Sequence, residues 1–318
     1  LGSQHILDNI GAWEFMRQHA EPILDIRVTD GATPFFLHYD HSEIGNDPFG
    51  YIVENRHIRY ALHQAASHLK NIILLDNFTI KNLVQDSCNV TITGNNNRIL
   101  TANLLIAADG RLSQARELAG IDTTTWSYEQ TAIVCTIEHE LPHYGLAQER
   151  FFPVGPFAVL PMQGNFSSLV WVEPNDRVKI YLDLPEGEFI QEISERIGGY
   201  LGKISTVGGR FSYPLSLLHA KKYTSGRVAV IGDAAHGMHP IAGQGVNLGF
   251  RDVAVLAEII NKQHALGLDV GNEEMLAHYG YLRNFDNVSM LAITDILNRL
   301  FSNNILPLRL AREIGLWT

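Results

Sequence analysis

The sequence predicts an α/β fold in which two domains are interleaved, and three observations carry that reading. Two short, continuously apolar runs, Leu104-Leu105-Ile106-Ala107-Ala108 and Val228-Ala229-Val230-Ile231, read as buried parallel strands. Each stops at a turn that holds an aspartate and a glycine, Asp109-Gly110 and Gly232-Asp233. Between them, residues 128–173 alternate as antiparallel strands do. With the buried strands so far apart in the chain, no simple cut separates the two domains.

The other elements follow in order from periodicity. Ile6, Leu7, Ile10, Trp13 and Met16 recur at spacings of one, three and four, which predicts an amphipathic helix over 4–19. Residues 23–39 alternate and are rich in Ile, Val, Thr and Phe, giving two strands around an Asp30-Gly31 turn. A helix is predicted over 55–69, then short strands to about 101, with Asn95-Asn96-Asn97 as a turn. Pro153, Pro156 and Pro161 punctuate the strands of 128–173. A helix around 186–200 and a long strand around 210–218 come next. Beyond Ile231, the positions Val246, Phe250, Val253, Leu256, Ala257 and Ile260 mark a helix, and 273–315 read as mostly helical.

Composition narrows the function classes. The chain has 318 residues, 46% of them hydrophobic and 18% charged, with a mean hydropathy of -0.01. So apolar a chain can offset its ordering entropy by burial, which excludes disorder. Lys and Arg number 24 against 34 Asp and Glu, a net charge of -10 without a basic block, which argues against a nucleic-acid surface. No apolar run approaches the roughly 20 residues of a membrane-spanning helix. Cys88 and Cys135 allow at most one disulfide and no CxxC site, which favours a reducing compartment. The chain opens on Leu1-Gly2-Ser3 without an initiator Met, and it reads as starting in mid-fold.

The strongest signal is Gly232-Asp233-Ala234-Ala235-His236-Gly237-Met238-His239-Pro240-Ile241-Ala242-Gly243-Gln244-Gly245-Val246-Asn247, which follows a buried strand and runs into a helix. Asp233 then stands at the carboxyl end of a strand, where open α/β sheets bind ligands. An ionised carboxylate there can accept hydrogen bonds from sugar or ribityl hydroxyls. Gly243 and Gly245 let the backbone approach a flat ligand, and they lie at a helix start that favours negative charge.

With its continuation Leu248-Gly249-Phe250-Arg251-Asp252, this stretch resembles the flavin-contacting motif of the FAD-dependent aromatic hydroxylases, which share the para-hydroxybenzoate hydroxylase fold. Within that group it is most similar to the ubiquinone-biosynthesis hydroxylases of the 2-octaprenyl-6-methoxyphenol hydroxylase type. The likeness extends through Phe151, Gly155 to Pro161, Ser168 to Trp171, Tyr213-Pro214-Leu215 and Tyr51 to Asn55, and so covers most of the chain. It implies an FAD-binding Rossmann-like domain in discontinuous segments, 1–20, 45–120 and 220–265. A mostly antiparallel-sheet substrate domain would take 21–44 and 121–219, and a helical C-terminal tail 266–318. The implied activity is hydroxylation of the aromatic ring of a polyprenylated phenol in ubiquinone biosynthesis, with FAD as cofactor, NAD(P)H as transient reductant and O2. Other ubiquinone-biosynthesis proteins are implied partners, and a cytoplasmic place peripheral to the inner membrane is the implied location. The expected cofactor contacts are Gly232, Asp233, Pro240, Gly243, Gln244, Gly245, Val246 and Asn247. No side chain is assigned as acid or base.

A second family motif matches at Asp109-Gly110, with Ser113 and Arg116, a turn that the resemblance places near the cofactor pyrophosphate and links to NAD(P)H use. Read without it, the same residues make a plain strand-to-helix turn with a surface Arg. Arg56 has two readings of equal standing, a phosphate-facing guanidinium or a solvated residue on an amphipathic helix. The family's opening strand, GxGxxG turn and helix for the ADP half of FAD has no match between Leu1 and Thr318, so a fragment is expected. Without that unit a non-catalytic flavin-fold binding subunit is the alternative. His139-Glu140-Leu141-Pro142-His143 spells H-E-x-x-H, the pattern of a zinc hydrolase, but Pro142 would break the helix that this spacing needs and no metal is expected. His236 and His239 lack a third ligand and read as turn structure beside the flavin. Leu291, Leu297, Leu300, Phe301, Ile305 and Leu306 read as a helix packed on the core, with a partner- or membrane-facing surface as the second reading.

Overall fold

The computed structural model describes residues 1–31, 36–239 and 243–301. Its helices are α1 (Gly2–Asn9), α2 (Asn55–Ser67), α3 (Gln114–Leu118), α4 (Asn175–Leu182), α5 (Glu186–Ile197), α6 (Gly245–Ala265) and α7 (Glu273–Phe301). The strands are β1 (Glu21–Ile23), β2 (Asp25–Asp30), β3 (Phe36–Asp40), β4 (Gly50–Ile52), β5 (Ile80–Gln85), β6 (Val90–Gly94), β7 (Ile99–Ala102) and β8 (Leu105–Ala107). They continue as β9 (Thr123–His139), β10 (Leu146–Phe152), β11 (Gly155–Met162), β12 (Phe166–Pro174), β13 (Ile204–Ala220), β14 (Thr224–Ser225), β15 (Val228–Val230) and β16 (His236–Gly237). Contacts divide the chain into two units, Leu1–Lys70 with Glu129–Leu215 and Asn71–Tyr128 with Ser216–Asp295. Residues 1–20 and 45–70, ascribed from the sequence to the FAD-binding domain, group with the first of these.

The first unit is organised by strands in the order β13-β9-β12-β11-β10-β2-β3. β9, β12, β11 and β10 are antiparallel neighbours, and β10 then pairs parallel with β2. The register sets Cys135 opposite Leu169 and Phe157 opposite Trp171, so the pleat collects these apolar side chains on one face. Helix α5 closes that face with Phe189, Ile193 and Ile197, one turn apart and fully buried. Its ends are well made: Glu186 and Glu188 lie in the first turn, and Gly198 ends it in the left-handed conformation. By the same register Thr136, Met162 and Phe166 belong to the opposite face.

In the second unit β15 lies between β14 and β8. It pairs parallel with β8, Val228 opposite Leu105 and Val230 opposite Ala107, so the two apolar runs are neighbours in one sheet. β15 is buried at every residue, and Leu256 of α6 with Leu276 and Tyr279 of α7 belong to its core. The Tyr279 hydroxyl donates to the Val230 carbonyl at 3.0 Å. β5, β6 and β7 form an antiparallel meander, with the Asn95–Asn97 turn where it was predicted.

Four expectations are corrected. The helix of 4–19 ends at Asn9, because Gly11 (φ 71) turns left-handed and two amides reach back, Gly11 to Asp8 and Ala12 to Leu7. Two short 3₁₀ turns carry the chain on to His19. The 104–108 run is not buried throughout: Ile106 is 41% exposed, its side chain pointing to the opposite sheet face from that of buried Ala107. Helix α4, absent from the sequence reading, follows Pro174 directly and buries only Val178, too narrow an apolar stripe to show as a period. The helix expected around 186–200 stops at Ile197, where Gly198 caps it. At the C-terminus Leu291 is buried, whereas Ile305, Leu306 and the side chains of Leu297, Leu300 and Phe301 lie outside the described residues. No helix among the described residues is long and apolar enough to cross a membrane.

Candidate functional site

The end of β15 is built to present a carboxylate. Ile231 is extended, Gly232 turns left-handed (φ 56), and a 3₁₀ turn over Gly232–Ala234 leaves Asp233 exposed while Ala234 is buried. Helix α6 lies close behind the turn. A Cβ at Gly249 would come 3.4 Å from the Gly232 Cα, so a glycine there lets backbone meet backbone.

What holds the turn is Asp252, which the sequence reading quoted only as the end of the motif. Its carboxylate is fully buried and accepts from the Gly232 N–H at 2.9 Å, His236 Nε2 at 2.6 Å and Arg283 Nε at 2.7 Å. Asn287 Nδ2 adds a longer bond at 3.3 Å and also reaches the Tyr223 hydroxyl at 3.0 Å. Burial alone would raise the Asp252 pKa, but the bonds from His236, Arg283 and Gly232 outweigh it and hold the carboxyl below its usual range. The nearby Tyr223 and Tyr279 hydroxyls are pushed upward, chiefly by burial.

The other half of the motif is open. Gly243 is left-handed (φ 60), and Gln244 caps α6 without a side-chain bond to a backbone amide. The Gln244 side chain instead accepts from Asn247 Nδ2 at 3.3 Å. The first turn of this 21-residue helix holds no acidic residue, so the helix itself sets no carboxylate against the positive end of its dipole. A Cβ at Gly243 or Gly245 would meet nothing within 4 Å among the described residues, and Val246 is 58% exposed. Pro240 lies outside the described residues.

The Asp109-Gly110 turn comes to the same place by another route. Gly110 is left-handed (φ 82), as a tight turn requires. Both Asp109 carboxylate oxygens are already engaged, one by the Ser113 hydroxyl and the other by the Ala115 N–H at 3.0 Å. Ser113 in turn caps α3 by accepting from the Arg116 N–H. The reading of Arg116 as a surface residue is corrected: it is 5% exposed and donates to the carbonyls of Arg111 and, at 3.0 Å, Ala234. Arg116 thereby ties this turn to the residue after Asp233.

Arg56 lies at the start of α2 in the first unit. Its guanidinium is 72% exposed and bonds Glu54 at 2.7 Å. With Glu54, His57, His19, Met162 and Phe166 it lines a groove of about 490 Å3. The rings of His19 and His57 stack at 3.8 Å. Burial, with the His19 and Arg56 charges, holds His57 below its usual pKa, and Glu54 works the other way. Arg56 stays a candidate phosphate contact whose present partner is Glu54.

The H-E-x-x-H spelling is structural. His139 ends β9 and uses both nitrogens, on the Leu141 carbonyl and the Ser167 hydroxyl. His143 bonds the Met162 carbonyl and accepts from the Gly145 N–H. Among the described residues no group of three His, Cys, Asp or Glu is placed to hold a metal. His236 is bound to Asp252, and His239 is buried with no hydrogen-bond partner on either nitrogen among the described residues.

Comparison with known proteins identifies the family. The model of a family described as FAD binding domain matches residues 2–280. The ubiquinone hydroxylase UbiL of Rhodospirillum rubrum is 50% identical over 316 residues, which are 99% of this chain and 73% of that protein. The mitochondrial ubiquinone biosynthesis monooxygenase COQ6 of Mus musculus is 32% identical over 99% of this chain and 75% of its own. Among solved structures, PqsL of Pseudomonas aeruginosa, a probable FAD-dependent monooxygenase, gives a TM-score of 0.84 at 18% identity, over 99% of this chain and 87% of that one. At that identity the likeness speaks for the fold alone.

Proposed function

This chain belongs to the FAD binding domain family, and from that premise we propose that it is an FAD-dependent monooxygenase. Its reaction is hydroxylation of the aromatic ring of a polyprenylated phenol in ubiquinone biosynthesis, with NAD(P)H and O2 as co-substrates. The observation that supports this best is the Asp233 turn: a strand-end carboxylate left exposed while a second, buried carboxylate does the structural holding. The relatives named ubiquinone hydroxylases supply the substrate class.

The residues present fit FAD. Asp233 offers acceptors to hydroxyls of the ribityl chain. Among the described residues Gly243 and Gly245 leave open space where a side chain would stand, before a helix start that suits negative charge on the flavin edge. Gln244, Val246 and Asn247 complete that first turn, and the Gly110 turn suits the pyrophosphate. When bound, FAD supplies the redox and oxygen chemistry, and the protein supplies position, dryness and electrostatics. Asp252 serves indirectly, by fixing the Gly232 amide and with it the direction in which Asp233 points. The alternative of a zinc hydrolase loses its ligands, since the nitrogens of His139 and His143 are taken.

The tail of such a substrate partitions into a bilayer, so we place the protein at the cytoplasmic periphery of the inner membrane, in contact with other ubiquinone-biosynthesis proteins. The reading is tested by incubating the full-length protein with FAD, NAD(P)H, isotopically labelled O2 and prenylated phenols. A ring hydroxyl carrying the label is expected. A protein without flavin absorbance, or NAD(P)H oxidation with no labelled product, would overturn it.

A further inference from the structure

The sheet of the first unit carries an apolar strip on the face turned away from α5. On β13 the Thr206 hydroxyl donates to Glu186 of α5 at 2.8 Å. Arg210 donates to the Leu182 and Leu184 carbonyls and stands over the Phe189 ring of α5. Strand alternation then turns Val207, Phe211 and Tyr213 to the other side, the face that Met162 and Phe166 occupy. The three are 41%, 57% and 56% exposed, so the described residues leave much of each bare. A Cβ at Gly209 would come 3.3 Å from the Phe211 ring, which therefore lies back along the strand over the bare glycine. Val207 also lines the groove of about 490 Å3, with Ile52, Met162 and Phe166 as its apolar wall. The strip thus leads from that groove to Tyr213, and every residue of it belongs to the first unit. Along β13 alone, Val207 to Tyr213 spans about 20 Å at the rise of a strand.

The chemistry of the occupant follows from what this surface offers. Of the strip's side chains only Tyr213 carries a hydroxyl, so the strip discriminates by apolar area and length and not by charge. The polar wall of the groove is engaged with itself: Arg56 bonds Glu54, the His19 and His57 rings stack, and Gln163 donates to the Gln18 carbonyl. A face that lies on a bilayer sets Lys or Arg beside its apolar side chains, whereas Arg56, the arginine of this groove, is paired with a carboxylate. What matches is a long, flexible, uncharged hydrocarbon, and a polyprenylated phenol carries one. We propose that the groove and the strip along β13 seat the polyprenyl chain of the substrate, so that the length of the chain sets the affinity. The inference rests on the monooxygenase reading and adds to it the place where the tail is held.

The test uses the full-length protein loaded with FAD, as wild type, Val207→Glu, Val207→Leu and Val84→Glu. Val84 is 59% exposed on β5 in the second unit and controls for an added surface charge. The probes are 2-methylphenol and its 2-prenyl, 2-geranyl and 2-farnesyl counterparts, and binding is read from the change in flavin absorbance on titration. The wild type should gain about tenfold in affinity with each isoprene unit, less than full burial of its carbons would give, because one side of the tail stays open to water. Val207→Glu should bind the farnesyl phenol about tenfold more weakly than wild type and 2-methylphenol equally well. Val207→Leu and Val84→Glu should keep the dependence on tail length, and all four proteins should bind FAD alike. Affinity that does not rise with the tail in wild type, or a rise undiminished in Val207→Glu, overturns the proposal. Weaker binding of every probe by Val207→Glu also overturns it by making Val207 part of the scaffold, and lost FAD affinity does so by giving the groove to the cofactor. An undiminished rise combined with lost binding to phosphatidylglycerol vesicles would overturn it by making the face a membrane contact. Failure of the underlying reading looks different: the wild type would show the dependence on tail length and form no hydroxylated product.

Discussion

β8 and β15 are parallel neighbours, and each ends in a turn of one aspartate and one glycine, yet the two carboxylates are used in opposite ways. Asp109 is consumed by its own turn, where the Ser113 hydroxyl and the Ala115 N–H occupy both oxygens. Asp233 is exposed, and the work of fixing its turn falls to Asp252 from α6. The difference teaches that a strand-end carboxylate is available to a ligand only when another group holds the backbone. The same residue types at the same place in a sheet do not suffice; the location of the structural hydrogen bonds decides.

The comparison can be broken most forcefully at Asp252. Asp252→Ala leaves Arg283 and His236 buried without their shared acceptor, and a loss of about 3–5 kcal/mol is expected in urea unfolding. A loss below about 1 kcal/mol would mean that the turn is held by something else. Next in size is a pH effect at His239. Between the ordinary value of 6.5 and the depressed value of about 4 the unfolded chain binds a proton that the native chain does not. Its contribution is therefore complete above pH 6.5 and declines by up to about 3 kcal/mol as the pH falls to 4, at about 1.36 kcal/mol per pH unit. His239→Leu should remove that part of the pH dependence.

Asp233→Ala should leave stability within about 0.5 kcal/mol of wild type. It should weaken FAD binding by roughly 1.5–3 kcal/mol, about 10- to 100-fold, in a flavin fluorescence titration. A variant that bound FAD normally would end the distinction between the two turns. The smallest effect is the mirror image: Asp109→Ala should cost about 1 kcal/mol of stability, the worth of a helix cap, and weaken FAD binding less than Asp233→Ala does. If the order of those two affinities were reversed, the roles assigned to the two carboxylates would have to be exchanged.

Local and periodic features were legible in the chain. The strand-turn-helix around Asp233, the two apolar runs as strands and the antiparallel stretch between them all follow from patterns within a few residues. So did the dismissal of His139 and His143, because Pro142 forbids the helix that their spacing requires. The illegible part is what depends on partners remote in sequence. Nothing near Asp252 announces that Arg283 and Asn287 will reach it from another helix. Nothing near Arg116 announces that its guanidinium will be buried against the carbonyl of Ala234. The helix break at Gly11 was written in the sequence, but a single glycine inside an apolar period is weak evidence until the amides of Gly11 and Ala12 are seen to turn back.

The bond from the Gly232 N–H to Asp252 has a consequence for exchange with heavy water. A turn amide ordinarily trades its hydrogen quickly, because small local openings expose it. Here the acceptor is fully buried and is itself gripped by Arg283 and Asn287 of α7, so the Gly232 hydrogen is shielded by a helix distant in sequence. Its exchange rate then reports the parting of α7 from α6 and not the fraying of the turn, and one amide serves as a gauge for the packing of two helices.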